Sequence, residues 1–382
     1  MHYSCIFCTN IALLKKNVKE ILQKKSFFSF LFIHFIPVDF CPNNVILFEM
    51  IAERRFPIME IQSELLRKLI HGADVTEKDG LFQLNRFTPE QRASYFESSD
   101  FTQKTFASSS VSMEFVTDAK SFSMDVIASK GSSRLFYYFD IMVNGALIRS
   151  EGAESYQDQP EFHLELPLDG TKNRVCIYFP CLVEIRLKRA AFEDASVIEP
   201  VSKQYRMTCF GDSITQGYDV IHPSLAYPNQ LADGLDAEVF NKGIGGDLFN
   251  SALAACPEPQ RPDLITVAYG TNDWSRCTKA QLTDNAERFF QNLAEVYPGV
   301  PVFAILPIWR RNLKRATAAG TFDELREIIR KICEKYPTVQ VIDGMTLVPH
   351  LDECFMPDGL HPNDFGFQFF GRNLIKQILK KI

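Results

Sequence analysis

The hydrophobic pattern changes character near residue 200, and this change limits the fold more than any other feature of the chain. Between about Phe101 and Asp194 the apolar residues fall in short runs: SVSMEFVTD, SFSMDVIAS, RLFYYFDIMV, ALIRSE, EFHLELPL, NRVCIYF and LVEIRLKRAAF. These runs are rich in β-branched and aromatic residues and often alternate with polar ones, as half-buried strands do. Lys130-Gly131-Ser132, Asn144-Gly145 and Asp169-Gly170 separate them. Asn-Gly favours a type I′ hairpin, because both central positions need positive φ. Many short strands with no helix between them predict an antiparallel β-sandwich, jelly-roll-like in character.

After Pro200, apolar strands alternate with helical stretches. RMTCFGDS precedes a helix within residues 224–235; AEVFNKGIGG precedes a short one; DLITVAYGTND leads to a helix over 280–296. PVFAILPIWR, a helix over 322–336, TVQVIDG and a last helix over about 363–380 complete the series. Near-continuous apolar strands joined by helices describe a parallel sheet covered on both faces, whose sites lie beyond the carboxyl ends of the strands. The chain of 382 residues therefore divides into an atypical extension over 1–58 outside any folded domain, a sandwich region over 59–200 and an α/β region over 201–382, with a linker near 195–205. No internal repeat is visible.

The extension holds nine of the 33 phenylalanines and three of the ten cysteines. Its apolar run, Phe27 to Val38, is shorter than the roughly 20 residues a membrane-spanning helix needs, so no stable membrane insertion is expected. Basic residues precede this run as in an export signal, but Pro37, Asp39 and Pro42 follow it where a small-residue cleavage site belongs. Ordinary amphipathic sequence begins at Met59. The lone Cys5-x-x-Cys8 in the extension receives no metal assignment. Ten cysteines without paired CxxC motifs read as free thiols, which points to the cytoplasm, with secretion the outcome if the basic and apolar segment is a signal. Lys plus Arg is 41 and Asp plus Glu is 47, a formal charge of −6. That balance gives no footprint for a nucleic-acid partner.

Polar residues suited to catalysis gather at the strand ends of the α/β region. In Gly211-Asp212-Ser213-Ile214-Thr215 a serine stands where a helix begins. Alone it reads as a helix cap. A serine attacks at neutral pH only with a base, normally a histidine oriented by a carboxylate. Asp358 and His361, three residues apart in MPDGLHPND, supply that pair at the far end of the same sheet. Acyl transfer also requires donors for the oxyanion. Gly243-Ile244-Gly245-Gly246-Asp247 offers close-approaching backbone N–H groups, and Asn272 in Tyr269-Gly270-Thr271-Asn272-Asp273 offers a side-chain amide. Neither a dinucleotide-binding GxGxxG nor a Walker A pattern is present, and Thr215 breaks the GxSxG elbow.

Four blocks, FGDSITQG, NKGIGGD, YGTND and PDGLHP, resemble in order and spacing those of the SGNH (GDSL-type) hydrolases. The first reads GDSI in place of GDSL, a small apolar exchange. The resemblance implies a flavodoxin-like three-layer α/β/α fold, no metal or organic cofactor, and Ser213 as nucleophile. It further implies His361 as general base and acid, Asp358 as its orienter, and an oxyanion hole of Ser213 N, Gly246 N and the Asn272 amide. Gly245 is the alternative to Gly246. A sandwich ahead of such a domain is similar to a bacterial subgroup containing acyltransferases and carbohydrate esterases.

Trp274, two residues beyond Asn272, and Trp309-Arg310 at the end of the fourth strand are candidates to line the substrate pocket. Asp212 reads as a local hydrogen-bonding residue; His350 and His222, in loops near the same edge, read either as substrate contacts or as ordinary surface or core histidines, and His163, in a sandwich strand, as structural. The expected function is a serine esterase acting on small O-acyl esters, acetyl above all, of a small-molecule or glycan substrate, with acetylated carbohydrate the leading class. Two alternatives stay open: an acyltransferase with the same acyl-enzyme, and a noncatalytic glycan-binding protein. Oligomeric state is not legible.

Overall fold

The protein is described here from a computed structural model covering residues 57–381. Cys5-x-x-Cys8, the Phe27–Val38 run and the readings of residues 1–56 lie outside the described residues. The strands are β1 (Ile58–Glu60), β2 (Ile70–His71), β3 (Asp74–Lys78), β4 (Leu81–Asn85), β5 (Ser112–Thr117) and β6 (Ser121–Lys130). They continue with β7 (Tyr137–Val143), β8 (Ala146–Ala153), β9 (Glu161–Pro167), β10 (Asn173–Tyr178), β11 (Val183–Glu193) and β12 (Ile198–Pro200). The last five are β13 (Tyr205–Gly211), β14 (Ala237–Asn241), β15 (Leu264–Ala268), β16 (Val302–Ile305) and β17 (Val339–Ile342).

Strands β1 to β12 form two six-stranded antiparallel sheets, one ordered β3-β4-β11-β6-β9 with β1 on β11, the other β12-β5-β10-β7-β8 with β2 on β5. The alternation read from the sequence produces this sandwich. Along β6 every second residue from Phe122 to Ala128 is buried, and Phe115, Phe122 and Phe192 meet with ring centroids 4.9 to 5.2 Å apart. Asn144 and Gly145 take φ of 51° and 82°, turning β7 into β8 as the dipeptide predicts. All seven strands expected between residues 101 and 194 are present.

The structure adds β1 to β4 and β12, which the sequence reading did not separate, and begins strand pairing at Ile58, opposite Glu193. Phe101 lies in a helix, Ser99–Lys104, ahead of the first of these strands.

In the α/β region the parallel sheet runs β14-β13-β15-β16-β17, the flavodoxin-like order in which the chain reverses direction beside its first strand. Helices Tyr227–Gly234 and Asp364–Ile378 pack on one face, Lys279–Val296 and Phe322–Cys333 on the other. This three-layer arrangement is the one the resemblance implies. Phe87 and Tyr95, from the segment between β4 and β5, join the core of the second face. The seven described cysteines are free thiols. Among the described residues no helix is long and apolar enough to cross a membrane.

Candidate active site

The reversal point lies between β13 and β15, and the first of these ends in Gly211-Asp212-Ser213. A Cβ on Gly211 would stand 1.9 Å from Thr215 Oγ1, so only glycine lets the chain turn this sharply off the strand. Asp212 caps the short helix Ser213–Gln216, its Oδ1 accepting from Ile214 N at 3.0 Å. The local hydrogen-bonding role expected of it is thus observed. Burial pushes the Asp212 carboxyl up to about 7 against the pull of the Ile214 hydrogen bond.

Ser213 and His361 are 148 residues apart in sequence, yet Ser213 Oγ lies 2.8 Å from His361 Nε2. On the other side of the ring, Nδ1 lies 2.6 Å from Asp358 Oδ2. Asp358 is itself fixed, because Oδ1 accepts the backbone N–H groups of Leu360 at 2.8 Å and His361 at 3.1 Å. Burial alone would raise the Asp358 carboxyl, but the hydrogen bonds from the His361 ring and these two amides outweigh it and hold it below its ordinary value. A carboxylate kept ionised against Nδ1–H fixes the tautomer that presents a bare Nε2 to the serine.

The other two blocks close over Ser213. Asn241 accepts from Gly243 N and donates to Thr215 O, both at 2.7 Å, which ties the loop after β14 to the serine helix. Gly245 N donates to Gln216 Oε1 at 2.7 Å and is therefore already engaged. Gly246 is the glycine whose N–H stays available, and its φ of 88° requires glycine. Asn272 donates one amide hydrogen to Asp247 O at 3.0 Å, leaving the second for a ligand. An oxyanion hole needs this arrangement of donors held before the reaction begins. Burial also raises Asp247 to about 7 and Asp273 to about 6.

Part of this frame comes from outside the α/β region. Tyr95 Oη donates to Asp247 Oδ2 at 2.7 Å, and Lys104 Nζ donates to Gly245 O at 2.9 Å. Arg276 donates to Gly246 O at 2.6 Å. On the histidine side, Tyr218 stacks on the His361 ring at 5.3 Å, and Asp219 Oδ2 stands 3.9 Å from Nδ1. Arg134, from the loop between β6 and β7, pairs with Asp219. None of these residues was singled out from sequence. Tyr218 and Asp219 directly follow FGDSITQG and could have been noticed there, whereas Arg134 carries no local signal. Asp219, Asp358 and His361 present ligand-type atoms within 4.8 Å of one another, a spacing already accounted for by the histidine–aspartate bond and the arginine pair.

The pocket-lining expectation for Trp274 is corrected. Its ring is wholly buried, edge-on to Phe322 at 5.1 Å, and its Nε1 donates to Gly320 O at 2.9 Å. The helix that presents Asn272 turns Trp274 inward, where its large apolar surface belongs. Arg310 is also buried, with its guanidinium 5.0 Å above the Trp274 ring and Nη1 donating to Thr271 Oγ1 at 2.9 Å. It braces the residue before Asn272. Trp309 is half-buried between His350 and Phe355. His222 accompanies Asp140, and His163 pairs with Asp125 across the sandwich sheet.

Comparison with known proteins bears on the fold that carries this site. Residues 209–369 match the profile of the GDSL-like lipase/acylhydrolase family. No curated protein matches the chain in sequence. Among solved structures, the salicylyl-acyltransferase SsfX3 from a tetracycline biosynthetic pathway superposes with TM-score 0.72 at 20% identity, covering 86% of this chain and 98% of that one. The acetyl xylan esterase Est2A from the rumen bacterium Butyrivibrio proteoclasticus gives 0.58 at 16% identity, covering 85% and 98%. A family two carbohydrate esterase from Clostridium thermocellum, in complex with cellohexaose, gives 0.58 at 14% identity, covering 72% and 93%. At these identities the likeness establishes the fold, a sandwich followed by a parallel α/β layer. Over residues 209–369, then, the chain is similar to the GDSL-like lipase/acylhydrolase family.

Proposed function

We propose that the protein is a serine esterase that removes small O-acyl groups, acetyl first among them, from a carbohydrate. The observation that carries this reading is the continuous relay from Ser213 Oγ through His361 to Asp358, at 2.8 and 2.6 Å, beside the unspent donors of Gly246 and Asn272. In the first half-reaction Ser213 Oγ bonds to the ester carbonyl carbon as His361 Nε2 takes the hydroxyl proton. The carbonyl oxygen becomes an oxyanion held by Ser213 N, Gly246 N and Asn272 Nδ2. Collapse breaks the bond to the sugar oxygen, which leaves with the proton from Nε2. In the second half, water gives its proton to His361 and attacks the acyl carbon, and collapse returns the proton to Ser213 as the acid departs.

The glycan part of the reading is supported by the cellohexaose complex of the clostridial relative and by the acetyl xylan esterase of the same fold. The test offers the purified protein an acetylated xylo-oligosaccharide, 4-nitrophenyl acetate and a long-chain lipid ester, with and without an added polyol. Release of free acetate from the oligosaccharide, absent in Ser213→Ala, is the expected result. Acyl transfer to the polyol in preference to water would make the protein an acyltransferase. Equal turnover by Ser213→Ala would end the reading altogether.

A further inference from the structure

Asp219 is a buried carboxylate whose own loop gives it no cationic partner. Its side chain is 6% exposed, and a buried charge of this kind needs a counter-charge. The partner comes from the sandwich: Arg134 Nε donates to Oδ1 at 2.6 Å and Nη2 to Oδ2 at 3.1 Å. The same guanidinium lies 5.2 Å above the Tyr218 ring. The hydroxyl of Tyr218 is met by Ser132 Oγ at 2.9 Å and Ser133 Oγ at 2.6 Å. One three-residue stretch of the sandwich thus holds both groups that flank the imidazole, the stacked Tyr218 ring and the carboxylate facing Nδ1.

The single hydrogen on Nδ1 is spent on Asp358, and Arg134 engages the Asp219 oxygen that would compete for it. Asp219 therefore acts on the ring through its field, which Arg134 offsets. The other charged or titratable groups around the ring are Asp358 on its own loop, Tyr218 stacked on it, and Arg310 after β16, whose charge reaches Asp358. Arg311, beside Gly359, is occupied by Asp352 at 2.9 Å.

We propose that Arg134 is a positioning residue for the catalytic histidine, holding Asp219 as a second, charge-balanced carboxylate against His361, so that the sandwich completes the active site rather than only covering it. This rests on the esterase reading above. A purely structural latch between sandwich and α/β region makes a different prediction, because the two halves of the pair have opposite charge. Asp219→Asn leaves Arg134 uncompensated near the ring and disfavours the imidazolium. Arg134→Gln leaves Asp219 uncompensated and favours it.

The experiment follows 4-nitrophenyl acetate hydrolysis by the full chain from about pH 5 to 9, where the base loses activity on protonation. The acid limb of kcat/KM moves to lower pH in Asp219→Asn and to higher pH in Arg134→Gln, each by roughly half to one unit. It returns to the wild-type position in the double variant, and Arg134→Lys lies nearer wild type than Arg134→Gln. Loss of rate in both single variants with no opposed movement of the limb would overturn the proposal. Failure of the esterase reading is recognised separately, by Ser213→Ala turning over as fast as wild type. In that event the His361 ring titration, followed by NMR in the same variants, decides the matter: opposed displacements uphold the pairing and a common one overturns it.

Discussion

Replacing Asn272 with alanine separates two roles carried by one amide. One hydrogen of Nδ2 goes to Asp247 O at 3.0 Å, and the other is assigned to the oxyanion. Loss of the first removes a hydrogen bond worth about 1 kcal/mol and leaves a carbonyl short of a donor. For a protein of this size that lowers Tm by about 1 to 2 °C. Loss of the second removes one preorganised donor from the transition state, which costs about 100- to 1,000-fold in kcat, or roughly 2.7 to 4 kcal/mol. The interaction is made to the oxyanion and not to the ground-state carbonyl, so KM should change by less than about twofold. Steady-state kinetics on 4-nitrophenyl acetate, with a thermal melt of the same preparation, read the two roles independently. A kcat within about fivefold of wild type, or a loss carried mainly by KM, would remove Asn272 from the oxyanion hole.

Further expectations follow from the same geometry. His361→Ala should lower kcat by about 10,000-fold or more, and Asp358→Ala by distinctly less, because the aspartate orients the ring without itself taking the proton; equal losses would show that the ring is useless as a base once Asp358 is gone. Trp274→Phe should cost about 1 to 3 kcal/mol of stability, since Gly320 O loses its indole donor, while preference among acetyl, butyryl and octanoyl esters stays fixed. A changed chain-length preference in a stable variant would put Trp274 back in the pocket. Burial raises the carboxyls of Asp212 and Asp247 to about 7 and of Asp273 to about 6. The folded state thus holds protons that the unfolded state has released, and stability falls as pH rises between about 4 and 7. Asp358, held low, acts in the opposite sense only at more acid pH. Thermal melts across that range test the slope, which Asp212→Asn should flatten; a Tm rising steadily toward neutrality would refute it.

The parts of this protein that were legible in sequence are those whose constraint is local. Gly211 must be glycine because of Thr215, four residues on, and Asp358 reaches His361 within one turn, so each leaves a compact motif. The strands of the sandwich were readable where alternation was strong, as in β6. They were missed in β3, whose DVTEK sequence is mostly exposed and carries little apolar signal. Trp274 was misplaced for a related reason: proximity to Asn272 in sequence says nothing about which side of a helix turns inward, and here the next residues but one point to the core. Arg134 was invisible because its partner, Asp219, is 85 residues away in another layer. Such a pair is written into the packing of sandwich on sheet and into no stretch of sequence.

The central claim is that Ser213 forms the covalent acyl-enzyme. The direct measurement is to react the folded protein with a fluorophosphonate and locate the adduct by peptide mass spectrometry. A stoichiometric adduct on the peptide carrying Gly211-Asp212-Ser213, abolished in His361→Ala, is the predicted result. Absence of an adduct on folded protein, or an adduct on another residue with Ser213 unmodified, would contradict the account.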